Sequence, residues 1–166
     1  VVTIPILLVG LKLSVVTQME GPLESGFVLG TSLILSCLTK VVLGNLPENF
    51  HIILHPLGFA GWIGLLVTSL NLMPVGQLDG GHIAHALCGR KAEVISRIMI
   101  VALLVLGVWG APMWLFWALV LIVLMGIKRP LLLDDAVPLD PRRKWIGVLM
   151  FFIFVVTFIP FPFGKQ

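Results

Sequence analysis

The sequence predicts an all-α polytopic membrane protein, with about four to five transmembrane helices plus one amphipathic or partly inserted helix. Three observations predict it. Of the 166 residues, 58% are hydrophobic and only 11% charged, against roughly 25% charged in soluble domains, and the mean hydropathy is +1.10. Several apolar runs approach the roughly 20 residues that cross a hydrocarbon core. The basic residues gather at two connections, as they do in proteins oriented by the positive-inside rule. The length fits a single membrane domain over 1–166. The net charge of +3 comes from basic residues scattered through apolar sequence, not from a basic face, so a nucleic-acid module is excluded. Cys37 and Cys88 are far apart and outside any CxxC pair. They read as small buried apolar residues, not as a disulfide or reactive thiols.

In chain order, Val1–Val16 is apolar apart from Lys12 and a few small polar residues. It lacks the basic head and cleavage site of a secretory signal. It reads as a spanning helix without its first turn, and the chain as the C-terminal part of a longer protein. An acidic connector with Glu20, Pro22 and Glu24 follows. Phe27–Leu43 carries Thr31, Ser32, Ser36, Thr39 and Lys40 on one half of a helical wheel, the pattern of an amphipathic helix at an interface or against partner helices. Residues 44–49 form a loop by their turn residues. Pro56 to about Met73 is the second strong span, ended by Pro74 and Gly76. Ala92–Gly110 is the third. Gly110-Ala111-Pro112 is a tight turn, and Met113–Ile127 returns as the fourth. Lys128–Lys144 is a charged loop rich in proline and aspartate, and Trp145–Pro160 is the last span.

Arg90, Lys91, Arg97, Lys128, Arg129, Arg142, Arg143 and Lys144 make eight of the eleven basic residues. All belong on the cytoplasmic side if the Gly-Ala-Pro turn joins two spans. Trp109 and Trp114 beside that turn, and Trp145 beside the basic loop, read as an aromatic belt.

Asp79 is the residue that needs explaining. It lies in Asn71-Leu72-Met73-Pro74-Val75-Gly76-Gln77-Leu78-Asp79-Gly80-Gly81-His82. A carboxylate at membrane depth costs roughly 2.5–3.5 kcal/mol on insertion scales and is retained for ion binding, pairing or proton relay. Pro74 breaks the helix before it, and a broken helix in a bilayer is tolerated only where protein or water covers the freed backbone. These features point to an internal polar cavity. Equally, Asp79 could lie beyond the membrane surface and cap a helix beginning at Gly80. Spacing leaves both readings open. His51 and His55 are four apart, but Ile52 stands where a metalloprotease helix needs Glu, and Pro56 disfavours helical geometry at His55. Both read as interfacial histidines. His82 and His85 follow Asp79 at three-residue steps, which permits a local Asp/His metal site, although interfacial placement accounts for them too.

In this window the sequence resembles the site-2 protease family of intramembrane zinc metalloproteases. Asn71, Pro74, Asp79 and Gly80 match its motif Asn-x-x-Pro-x-x-x-x-Asp-Gly in type and spacing. The flanks His55–Trp62, Leu133–Asp135 and Pro138–Lys144 look like the cyanobacterial and plastid branch and its bacterial relatives. The resemblance implies that Asp79 is the carboxylate ligand of a catalytic zinc. It implies that Asn71 lies beside the scissile peptide, and that Pro74 and Gly80 shape the broken helix where substrate binds. The implied substrates are transmembrane segments of other membrane proteins, and the implied location is a bacterial plasma membrane or a plastid membrane. Hydrolysis would follow the metalloprotease pattern, with a general base beside the metal.

The family's His-Glu-x-x-His does not occur between Val1 and Gln166. A catalytic zinc needs three protein ligands plus water. This chain therefore holds no complete catalytic set and is expected to be inactive alone, the zinc site being completed by residues outside it. Lys128–Lys144 reads as a topology anchor or as a gate on access. The alternative function is a catalytically inactive membrane protein of the same fold that binds transmembrane helices.

Overall fold

The computed structural model describes residues 2–18, 29–44, 50–127 and 140–163. The acidic connector around Glu20, the loop near Asn45 and all but the end of Lys128–Lys144 lie outside them. Among the described residues the chain runs α1 (Thr3–Lys12), β1 (Val15–Gln18), α2 (Leu33–Leu43), β2 (Phe50–Ile53), α3 (Pro56–Leu72), α4 (Asp79–Cys88), α5 (Lys91–Trp109), α6 (Met113–Ile127) and α7 (Pro141–Thr157).

Helix α1 stops early. Lys12 ends it, and β-branched Val15, Val16 and Thr17 leave the helix for a strand, the conformation such side chains favour. β1 pairs antiparallel with β2, with Val15 opposite Ile53 and Gln18 opposite Phe50. The expected helix over Val1–Val16 is thus corrected at its C-terminal end, and the strand pair was not foreseen. Ser14 joins helix and strands: its Oγ donates to the Gly10 carbonyl at 2.7 Å and accepts from the His55 amide at 3.0 Å.

Helix α3 starts at Pro56, whose fixed φ suits a first turn. His55 caps it, with Nδ1 accepting from the Leu57 amide at 3.2 Å. This helix is the centre of the packing, touching α1, α4 and α7. Its crossing with α1 is built on small residues. A Cβ on Gly10 would overlap the Gly58 backbone, and one on Gly61 would meet Leu7 at 2.9 Å. Close backbone approach through small residues is how helices associate where no water drives them together. Trp62 lies buried beside this crossing and donates from Nε1 to the Gly30 carbonyl at 2.8 Å.

Helix α2 has 11 residues, about 16 Å of length, roughly half a hydrocarbon core. Ser32 caps it by accepting from the Leu35 amide at 3.2 Å. Ile34, Leu35, Leu38 and Val42 face the core, while Leu33, Lys40 and Val41 are exposed. Thr31 and Ser32 precede the helix instead of extending its polar face.

Helices α5 and α6 form a hairpin across Gly110-Ala111-Pro112, where Gly110 takes φ 140° and the Ala111 amide donates to the Leu106 carbonyl. Helix α5, at 19 residues, is the one described helix long and apolar enough to cross a membrane; α1, α2, α3 and the described part of α6 are shorter apolar helices. Their outer faces are apolar. Val94, Ile98, Val101, Val105 and Val108 on α5, Phe116 and Leu119 on α6, and Phe152 and Val155 on α7 are all exposed.

Two aromatic and thiol expectations need correction. Trp109 is exposed, but Trp114 is fully buried. Its Nε1 donates to the Pro160 carbonyl at 2.6 Å, and its ring stacks on Phe158 at 5.1 Å. It anchors the chain after α7 instead of joining an interfacial belt, because that chain passes over the hairpin turn. Cys37 and Cys88 are both exposed, where a small apolar thiol on an already apolar surface carries little penalty.

Candidate functional site

The segment 71–81 is where α3 ends and α4 begins. α3 runs to Leu72, and the Met73 amide closes it by donating a hydrogen bond to the Leu70 carbonyl at 3.3 Å. Pro74, with no N–H to donate, cannot continue the ladder. The Val75 amide turns back to the Met73 carbonyl at 2.7 Å, a three-residue turn around Pro74. Gly76 takes φ 51°, left-handed backbone that glycine adopts without strain. The Leu78 amide then bonds the Val75 carbonyl at 3.1 Å, and α4 starts at Asp79.

The two helices touch here with no room for side chains. A Cβ on Gly80 would overlap the Leu72 carbonyl and meet the Met73 oxygen at 2.6 Å. One on Gly81 would overlap the Gly76 oxygen and meet that of Val75 at 2.8 Å. Met73, Pro74, Val75, Gly80 and Gly81 are all buried. Asn71 precedes Leu72 and Asp79 precedes Gly80, so both polar side chains flank the point of contact. Both are exposed.

Asp79 does not cap α4. The cap position is Leu78, without a side-chain bond, and Asp79 occupies the first helical position. There the helix dipole favours its negative charge. Among the described residues no hydrogen bond or ion pair engages its carboxylate. An exposed carboxylate at a helix start fits one ligand position of a zinc ion. It does not make a site alone: among the described residues no group of three His, Cys, Asp or Glu could hold a metal. His82, one turn on, is exposed and His85 half-buried. His55 is used as a helix cap, and His51 lies in β2.

One residue unmarked in the sequence belongs to this assembly. Ser96 on α5 is buried, donates to the Pro74 carbonyl at 3.0 Å, and lies 3.5 Å from the Gly76 amide as its acceptor.

Comparison with known proteins decides the family. The model of peptidase family M50 matches residues 2–106, including the whole helix break. The chain belongs to peptidase family M50. This M50 chain is 33% identical over 129 residues to the probable zinc metalloprotease EGY2, chloroplastic, of Arabidopsis thaliana, covering 76% of this chain and 23% of that protein. It is 32% identical over 130 residues to the probable zinc metalloprotease EGY1, chloroplastic, of Oryza sativa subsp. japonica, covering 78% and 22%. It is 36% identical over 121 residues to the probable zinc metallopeptidase EGY3, chloroplastic, of Arabidopsis thaliana, covering 72% and 21%. It therefore spans about a quarter of the length of these curated M50 relatives. No solved structure matches the chain.

Proposed function

We propose that this chain is the part of an intramembrane zinc metalloprotease that supplies the carboxylate ligand, Asp79, and the broken helix around it. One observation carries the reading: the Asn71–Gly80 motif folds as a helix break in which α3 and α4 meet through glycine, with Asp79 at the first position of α4 beside that contact. M50 membership and relatives named as zinc metalloproteases support it. Residues outside this chain complete the ligand set and supply the general base, so the chain alone does not hydrolyse peptides.

Zinc in such a site activates water and polarises the scissile carbonyl. The residues of this chain prepare for that step. Asp79 holds the metal through its carboxylate. Asn71 has an amide that both donates and accepts, suited to an extended peptide backbone beside the metal. Pro74 and Gly80, both buried, form the break beside which that backbone lies. The substrates are transmembrane segments of other membrane proteins, locally unwound because helical peptide bonds are shielded.

The chain sits in a membrane. Helix α5 is long enough to cross, and the apolar outer faces of α5, α6 and α7 suit lipid. Helices α3, α6 and α7 complete the crossing with α5, and α2 is too short to cross. The chloroplastic relatives favour a plastid membrane over a bacterial plasma membrane.

The test is cleavage of a transmembrane reporter by the full-length polypeptide carrying this chain. Asp79→Ala and Asp79→Asn should each abolish cleavage while the protein stays folded. Undiminished cleavage by Asp79→Ala would remove the ligand assignment. If the wild-type polypeptide binds transmembrane helices but never cuts them, the function is that of an inactive helix-binding relative.

A further inference from the structure

Ser96 bonds outside its own helix. Thr68 and Thr157 each bond the carbonyl four residues back, and Ser69 bonds the one three back, within their own helices. That local bond is how a hydroxyl is ordinarily satisfied on an apolar helix. Ser96 instead reaches 22 residues back along the chain to the Pro74 carbonyl. The same Oγ stands as acceptor for the Gly76 amide. Its two partners belong to the turn that breaks the helix, and those are the backbone groups that a break leaves without ladder partners. In an apolar surrounding such groups must find partners inside the protein. One buried side chain on the spanning helix α5 thus fastens the turn between α3 and α4.

We infer that Ser96 is a positioning residue for the metal ligand. By fixing the Pro74–Gly76 turn it fixes the start of α4, and with it the place of the Asp79 carboxylate. The glycine contacts define how near α4 can come to α3, since Gly80 and Gly81 lie against the α3 end and the turn. They set a closest approach but do not hold the turn there. The Ser96 hydroxyl supplies the attraction that contact lacks. Supporting groups behind a metal ligand typically carry 10- to 100-fold in metal affinity. Because Ser96 acts through the backbone and not on the carboxylate itself, the lower end, about tenfold, is expected. This inference rests on the reading of Asp79 as a zinc ligand.

The experiment uses the full-length polypeptide and the pair Ser96→Thr and Ser96→Val, of equal shape but with and without a hydroxyl. Ser96→Ala is the smaller variant should the extra methyl disturb packing. The first readout is amide hydrogen exchange over 74–79 in zinc-free protein. The Gly76 amide should exchange about tenfold faster in Ser96→Val than in Ser96→Thr, the effect of one lost hydrogen bond. The second readout is zinc affinity by chelator competition, with Asp79→Ala measured alongside. Ser96→Val and Ser96→Ala should bind zinc about tenfold more weakly than wild type, with Ser96→Thr restoring affinity. Equal exchange in the Thr and Val variants overturns the clamp. Faster exchange with unchanged zinc affinity, while Asp79→Ala loses the metal, overturns the positioning role and leaves the ligand reading standing. If Asp79→Ala itself keeps full zinc affinity, the ligand reading and the positioning role fall together, and any exchange difference then reports a purely structural clamp.

Discussion

Gly80→Ala isolates the helix break from the chemistry of the motif, because it adds one methyl and changes no functional group. That methyl would overlap the Leu72 carbonyl and meet the Met73 oxygen at 2.6 Å. Both are backbone atoms at the end of α3, so no rotamer change relieves the contact. Overpacking of this kind costs typically 1–3 kcal/mol. Alanine regains up to about 1 kcal/mol over glycine in a helix, and less in a first turn. The net loss should be about 1–2 kcal/mol, with α4 pushed away from α3. Gly147→Ala is the control. The atoms nearest its methyl belong to the Leu87 side chain, at 2.8–3.1 Å, which can turn aside, so it should be close to neutral. The assay is denaturant unfolding of each full-length variant in detergent, together with reporter cleavage. A displacement of about 1 Å at a reacting centre is worth roughly 100-fold in rate, so Gly80→Ala should cleave at about that deficit even where it remains folded. If Gly80→Ala matched Gly147→Ala in both stability and cleavage, α3 and α4 would not meet as described, and the account of the motif's glycine would be wrong.

Other consequences can be checked as simply. Trp114→Phe keeps a ring against Phe158 but removes the 2.6 Å bond to the Pro160 carbonyl; unfolding should show a loss of about 1 kcal/mol. Ser32→Ala removes the cap of α2 and should cost about 1 kcal/mol, whereas Ser32→Asp should restore most of it. Both cysteines are exposed, so a small maleimide should label Cys37 and Cys88 in the folded protein in detergent. Cys37→Ser and Cys88→Ser should each remove one labelled position.

What the sequence made legible was set by the range of the interactions. Helix α6 begins where the apolar run does, because Pro112 and the preceding glycine mark a hairpin locally. Pro74 likewise marks the end of α3 within two residues. The strand pair was illegible because its partners, Val15 and Ile53, are 38 positions apart and neither four-residue run alternates clearly. Val15 and Val16 looked like the tail of an apolar helix until a partner strand competed for them. Trp114 looked interfacial because it neighbours a turn, and only the chain after α7 folding over that turn buries it. The motif showed which residues matter and not how they are held. Ser96 gave no signal, since one serine in an apolar helix is ordinary and its partner at Pro74 is visible only in three dimensions. Spacing left Asp79 open to two readings; the structure starts α4 at Asp79 with Leu78 at the cap position, a detail of one residue that spacing alone could not give.

The central claim, that Asp79 ligates zinc, is tested most directly by X-ray absorption at the zinc edge on the purified full-length polypeptide, wild type against Asp79→Ala. The account predicts one zinc per wild-type molecule with a carboxylate oxygen at about 2.0–2.2 Å. It predicts that Asp79→Ala, still folded, either loses the metal or loses that oxygen from the coordination shell. An identical zinc content and an identical shell in the two proteins would contradict it.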